Sequence, residues 1–296
     1  MVPSILTTYV KPYNSYCMLG LYEKTTFGCS KLITEHYSTS FTLGIKTLDK
    51  KFHQAIYAIY GFVRYADEIV DTFHDFDKAT LLSRFKNDTY LALEERISLN
   101  PVLHSFQSVV HAYKIERELI DAFLYSMEMD LHDIEYDEST YNQYIYGSAE
   151  VVGLMCLRVF CEGDTFLYDR LKDDARSLGA AFQKVNFLRD IKSDFQDRGR
   201  VYFPGVDFTD FNLDAKKLIE EDIQRDFDHA LRGIQGLPEG ARRGVYLAYT
   251  YYIKLFERIK KTSANRIQEE RIRVPDSVKL ALLAKTLVKN SLNVLF

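Results

Sequence analysis

This chain of 296 residues contains only six prolines, at positions 3, 12, 101, 204, 238 and 275. A proline inside a helix removes a backbone hydrogen bond and clashes with the preceding turn. The long proline-free intervals 13–100 and 102–203 therefore leave room for helices that run without interruption. Apolar residues recur at helical spacing within them. Phe52, Ile56, Ile59 and Val63, with Ile69 and Val70 beyond, predict a long helix over 49–73. Comparable patterns predict helices over 77–97, 116–133, 138–161, 164–196, 241–262 and 276–292. Strict two-residue alternation is scarce, so the expected fold class is all-α.

Breakers collect at PGVDFTDFNLD (204–214) and GIQGLPEGARRG (233–244), which are expected to be loops. Asp214 or an earlier Asp is the expected cap of the helix beginning LDAKKLIEEDI, and Pro275 is expected near the first turn of the last helix. Length alone accommodates two average domains or one large helical one. No linker forces a division, so a single domain over 1–296 is expected. The 47% hydrophobic and 14% aromatic content is ample for a sizeable core.

Thirty-eight basic against 42 acidic residues give a net charge of −4, which removes any global electrostatic case for nucleic acid. An anionic ligand would have to be held by a local cluster. Cys17, Cys29, Cys156 and Cys161 form no CxxC pair and read as packing residues, in keeping with a reduced cytoplasmic setting. The longest apolar runs, such as VVGLMCLRVF and YLAYTYYIKLF, are short or broken by charge, so no membrane span is expected.

Two predicted helices carry a similar polar stripe. In AIYAIYGFVRYADEIVD (55–71), Tyr60, Arg64, Asp67 and Asp71 fall on one helix face. In FQKVNFLRDIKSD (182–194), Gln183, Asn186, Asp190 and Asp194 do the same. A lone DxxxD on a helix is usually a solvated face. Here both stripes are flanked by apolar residues, and a buried carboxylate without a partner costs several kcal/mol or changes its protonation. Two carboxylate pairs facing each other would form a strongly negative cavity. A divalent cation resolves that conflict, and oxygen-only ligands on separate helices suit Mg²⁺ bridged to phosphate better than zinc.

These residues resemble the phytoene synthase and squalene synthase family, the head-to-head prenyl transferases. The motifs carrying the resemblance are RYADEIVD (64–71) and FQKVNFLRDIKSDFQDRGRVYFP (182–204), with YSTSF (37–41), SMEMDL (126–131), YGSAEVVGLM (146–155), YYIKLFERIK (251–260) and RIRV (271–274) in the family's order. The resemblance implies an isoprenoid-synthase helical bundle around a central cavity. It implies metal binding by Asp67, Asp71, Asp190 and Asp194 with Asn186, and a catalytic part for Tyr60, Arg64 and Tyr252. Diphosphate contacts are implied for Ser38, Ser40, Arg64, Gln183, Asn186, Arg189 and Arg271. Arg198 and Arg200 are expected to close or flank the site. Phe41, Ala149, Val152, Gly153, Met155, Leu178 and Phe182 are the implied walls of a hydrocarbon pocket. Four positions depart from the family pattern, Ser148 among them as an interruption of the small and apolar residues before VGLM. Glu68 stands where Asp is frequent, Ser126 where Gly is common, and Glu150 is a charge among small and apolar residues, expected to pair or to point away from the cavity.

The implied reaction is Mg²⁺-dependent condensation of two geranylgeranyl diphosphates, through a cyclopropyl diphosphate, to 15-cis-phytoene. Mn²⁺ is the expected substitute metal. The runner-up is a C30 product, dehydrosqualene or squalene, from farnesyl diphosphate, with NADPH required only for squalene. A non-catalytic helical scaffold of the same family is the alternative of another class, and retention of all four aspartates argues against it. The expected partners are prenyl diphosphates and, peripherally, a membrane, with no nucleic acid and no obligate protein partner. A long hydrocarbon product gains about 0.8 kcal/mol per CH₂ buried, which favours transfer into a bilayer and loose membrane association of a cytoplasmic enzyme.

Overall fold

The computed structural model describes residues 15–132, 136–192, 202–204, 213–269 and 271–291. Among these residues there are helices and no strands. In chain order they are α1 (Ser15–Tyr37), α2 (Thr39–Lys46), α3 (Lys50–Asp71), α4 (Lys78–Glu95), α5 (Pro101–Tyr113), α6 (Arg117–Met129) and α7 (Glu138–Ile145). A π turn (Tyr146–Glu150) leads into α8 (Val151–Cys161), followed by α9 (Thr165–Ile191), α10 (Leu213–Gly236), α11 (Glu239–Lys261), α12 (Ala264–Glu269) and α13 (Asp276–Ser291).

Short polar side chains start many of these helices by accepting hydrogen bonds from first-turn amides that have no partner within the helix. Asp77 accepts from Thr80 N at 3.0 Å, Asn100 from Val102 N at 3.0 Å, Asp137 from Thr140 N at 2.7 Å and Asp164 from Leu167 N at 2.9 Å. Pro101 occupies the first helical position of α5, where no amide hydrogen is needed. Arg96, Lys114 and Glu162 take left-handed conformations just after α4, α5 and α8, which turns the chain sharply at each end.

Expected loops and caps shift in two places. The stretch 233–244 is not a loop: α10 runs to Gly236 and α11 begins at Glu239, so local helical periodicity overrides the glycines. Asp214 lies inside the first turn of α10 rather than capping it, where its charge complements the helix dipole. Pro275 directly precedes α13, and its carbonyl accepts from Val278 N at 3.0 Å.

One face of α3, carrying Phe52, Ala55, Ile59, Phe62 and Ala66, is buried almost completely. Phe62 stacks on Phe106 of α5 with ring centroids 3.8 Å apart, tying α3 to its neighbour. A second buried cluster surrounds the meeting of α9, α10 and α11, with Val185, Leu188, Ile223, Phe227, Phe256 and Ile259 at its centre. On this side Lys184 of α9 is held between Asp222 and Asp226 of α10 at 2.5 and 2.7 Å. Further along α9, Phe187 stacks on Tyr202 with centroids 4.0 Å apart. These contacts fix α9 from its back, leaving its polar stripe on another face.

The π turn joins α7 and α8 into one helix, Glu138–Cys161, of 24 residues. By length and composition this helix could cross a membrane, which the broken apolar runs of the sequence did not suggest. Of its most apolar window, 56% is buried inside the fold, the pattern of a core helix. Cys156 and Cys161 lie on it as free thiols, and burial pushes them up to about 12 and about 11.

Candidate active site

The stripe on α3 is built around one guanidinium. Arg64 donates from Nη1 to Asp67 Oδ2 at 3.0 Å and from Nη2 to Glu68 Oε1. Its guanidinium carbon also lies 4.5 Å from the centroid of the Tyr37 ring, a cation–π contact. Glu68 is only 8% exposed, so it serves to orient Arg64 rather than to face an open site. Tyr37 was not legible as a site residue; its only signal was its place at the head of YSTSF.

Asp67 and Asp71 lie in the last two turns of α3, which has no basic residue in its final turn. Carboxylates there oppose the negative end of the helix dipole by about 0.3–1 kcal/mol each. The arrangement concentrates negative potential at one helix end, and a cation relieves it.

One turn before Arg64 stands Tyr60, and burial pushes its phenol up to about 12. The Ser38 hydroxyl accepts from Phe41 N at 3.2 Å, capping α2, so its local structural task accompanies any contact with substrate. Ser40 sits half-buried in the first turn of α2.

On α9, Gln183, Asn186 and Asp190 are all half-buried. Asn186 Oδ1 accepts a long 3.4 Å hydrogen bond from the Tyr252 hydroxyl of α11. Arg189 Nε donates to both oxygens of Asp190 at 3.0 and 3.1 Å. Arg271 reaches the same carboxylate from 81 residues away, with Nε 2.8 Å from Oδ1. The fold thus brings Arg271 to the site despite its exposure. Burial raises the Tyr252 phenol, opposed by the nearby Arg189 charge. Asp194, Arg198 and Arg200 lie outside the described residues.

An aromatic chain links the two stripes. Phe41 lies 5.7 Å from the Tyr60 ring and 6.4 Å from the Tyr252 ring, and Tyr252 stacks on Phe182 at 3.8 Å. Elements α2, α3, α9 and α11 therefore converge below the polar groups. Ala149, Val152, Gly153 and Leu178 are half-buried along the π turn, α8 and α9. Met155 has no exposed surface and packs against the core.

Glycine lets these elements approach closely. A β-carbon at Gly179 would lie 2.6 Å from the Ala149 carbonyl oxygen, and one at Gly153 2.9 Å from that of Ala175. Gly147 likewise makes room for Ser126, whose β-carbon would be 2.8 Å from an added methyl. Glu150 pairs with Arg176 at 2.6 Å, which resolves its place in an apolar segment. Burial raises its carboxyl, and Arg176 partly counters the shift.

Among the described residues no three carboxylates, imidazoles or thiols gather into a metal cluster. The donors available on the stripes are nevertheless all oxygen: Asp67 and Asp71 on α3, Asn186 and Asp190 on α9. Such a set, sparse on each helix, fits a hard cation that completes its shell with phosphate oxygens and water. Arginines beside Asp67 and Asp190 show both carboxylates already organised around positive charge.

Residues 34–277 match the family described as squalene/phytoene synthase. The chain is 26% identical over 273 residues to a 15-cis-phytoene synthase of Enterobacter agglomerans, covering 83% of this chain and 90% of that one. It is also 26% identical over 196 residues to a 4,4'-diapophytoene synthase of Staphylococcus haemolyticus, covering 64% and 66%. Its fold resembles that of a crystallised dehydrosqualene synthase with a TM-score of 0.76, at 20% identity over 92% of this chain and 98% of that one.

Proposed function

The chain belongs to the squalene/phytoene synthase family of prenyltransferases, and we propose that it condenses two geranylgeranyl diphosphates head to head to 15-cis-phytoene. The observation that carries this reading is the aromatic chain Tyr60–Phe41–Tyr252–Phe182, which joins two carboxylate-bearing stripes over a half-buried apolar wall. It suits a substrate with a polyanionic head and a long hydrocarbon tail.

In the first half-reaction the C1–O bond of one substrate breaks and diphosphate leaves. The C2–C3 double bond of the second substrate attacks the allylic cation, and loss of a proton closes a cyclopropane that keeps the remaining diphosphate. In the second, that diphosphate leaves, the ring rearranges to join the two C1 atoms, and a second proton is lost. No reductant is consumed.

Asp67, Asp71, Asn186 and Asp190, with Asp194, would hold Mg²⁺, which supplies Lewis-acid stabilisation of the departing diphosphate when bound. Arg64 and Arg189 offer forked donors matched to phosphate oxygens, held in place by Glu68 and Asp190. Tyr60, with its phenol at about 12, stays protonated near neutral pH and donates a hydrogen bond rather than accepting the substrate proton. That proton goes to the released diphosphate. Phe41, Phe182 and Tyr252 exclude water from the carbocation and present aromatic faces to it.

A C30 product from farnesyl diphosphate is the second reading, favoured by the similarity to the diapophytoene synthase. The apolar product gives the enzyme reason to touch a bilayer, and we place it loosely at the cytoplasmic face of a membrane. The deciding experiment incubates purified protein and Mg²⁺ with C15 and C20 diphosphates, with and without NADPH, and analyses the lipid extract by mass. A C40 hydrocarbon without NADPH is expected. A C30 product from the C15 substrate with none from C20 would replace phytoene by the second reading, and no condensed hydrocarbon under any condition would overturn both.

A further inference from the structure

The π turn Tyr146–Glu150 stands where the chain passes from one core cluster to the other. Before it, α7 buries Tyr141, Tyr144 and Ile145 in the cluster around α9, α10 and α11. After it, α8 buries Val151, Leu154 and Phe160 in the cluster around α3. With both helices anchored, the one residue that an α-helical register has no room for is taken up as a wider turn, in which Val151 N–H donates to the Tyr146 carbonyl.

The middle residues of the turn, Gly147, Ser148 and Ala149, are short, and among the described residues the buried Ser148 hydroxyl meets no hydrogen-bond partner. The long side chains stand at its two ends, and both meet Arg176 of α9. Arg176 Nε donates to Glu150 Oε2 at 2.6 Å, and its guanidinium carbon lies 5.4 Å from the centroid of the Tyr146 ring. Ion pairs between exposed groups contribute little. Here the Arg176 side chain is 46% exposed but that of Glu150 only 14%, so the carboxylate depends on its partner. Arg176 also stands between the two closest approaches of α9 to this segment, Ala175 against Gly153 and Gly179 against Ala149.

We propose that Arg176 is a positioning residue for the condensation: by gripping both ends of the π turn it fixes the wall formed by Ala149, Val152 and Gly153, and so keeps water from the allylic cation. The inference rests on the proposed function. A wall free to shift lets water reach C1 in place of the double bond of the second substrate. The C1–O bond to diphosphate then breaks as before, water adds to C1, a proton is released, and a prenyl alcohol forms instead of the condensed hydrocarbon.

The test compares the native full chain with Arg176→Met and with the double variant Arg176→Met, Glu150→Gln. Each is incubated with Mg²⁺ and C15 or C20 diphosphate, and the ratio of prenyl alcohol to condensed hydrocarbon is read from the lipid extract by mass. Both products come from the same ionisation, so the ratio does not depend on how much of the protein is folded. It should rise by about fivefold or more in both variants. Tm should fall in Arg176→Met, which leaves Glu150 without its counter-charge, and recover in the double variant while the ratio stays high. Hydrogen exchange, read by mass spectrometry without substrate, should be about tenfold faster across 147–153 in both variants. A native ratio in a variant that condenses, or a ratio that returns to native together with Tm in the double variant, would overturn the proposal. Unchanged exchange across 147–153 would overturn it as well. If the native protein forms no hydrocarbon from either diphosphate, the proposed function fails, and exchange alone decides whether Arg176 holds the turn.

Discussion

Each charged residue of the candidate site has a second task, and substitutions there separate the two. Asp71 stands at the unfavourable end of α3, and Asp190 between two arginines. Asp71→Asn and Asp190→Asn should each lower kcat by about 10³-fold or more, the scale of losing a preorganised electrostatic contact; steady-state assays with Mg²⁺ retaining near-native turnover would refute their metal role. Glu68 works through Arg64. In Glu68→Gln the guanidinium loses a charge-assisted bond worth about 1.5–3 kcal/mol, so KM should rise by roughly tenfold with a smaller change in kcat. An unchanged KM would mean that Asp67 and Tyr37 suffice to hold Arg64. At this scale the sequence showed which residues stand on a common face, because helical spacing alone decides that. It kept Glu68 as a tolerated charge of the motif, since nothing in spacing distinguishes a ligand from the residue that orients its neighbour.

Helix α9 is the element on which the site turns, gripped from behind and approached closely from the side. Lys184 lies between Asp222 and Asp226, and removing the cation leaves at least one carboxylate buried without a counter-charge. Lys184→Met should destabilise the fold by about 2–4 kcal/mol, less than a fully buried pair would give because Asp222 is partly exposed. Denaturant melts measure it, and the double change Lys184→Met, Asp226→Leu should recover much of the loss. Gly179→Ala places a methyl 2.6 Å from a backbone oxygen of the π turn, where no side chain can give way. A loss of about 1–3 kcal/mol is expected, together with reduced turnover as α9 moves off the wall. A stable, fully active Gly179→Ala would show that the two elements can part without consequence. Most long helices were legible because apolar periodicity and missing prolines agree over many turns. Helices α1, α2, α5 and α12 were passed over, although Asn100–Pro101 is a strong start signal for α5.

Across the whole molecule, buried phenols and thiols set the response to alkali. Burial pushes Tyr60, Tyr90 and Tyr249 up from 10.0 to about 12, and Cys156 and Cys161 up from 9.0 to about 12 and about 11. In the unfolded chain these groups lose protons near their ordinary values, so above those values the folded state binds more protons than the unfolded one. Stability therefore falls as pH rises from about 9 towards 12. Tm measured by circular dichroism should decline steadily across that window, and a flat Tm from pH 9 to 11.5 would contradict the assigned burial. The sequence by itself determined the all-α class, the two polar stripes and the family motifs, because proline placement, a 3.6-residue period and fixed residue types are properties of a linear string. Which stripe residues meet which partners was decided by tertiary packing. Glu150 found Arg176 across 26 residues, and Arg271 crossed 81 residues to Asp190. Such contacts depend on where whole helices come to rest, which is set by the summed burial of both core clusters and not by any local pattern.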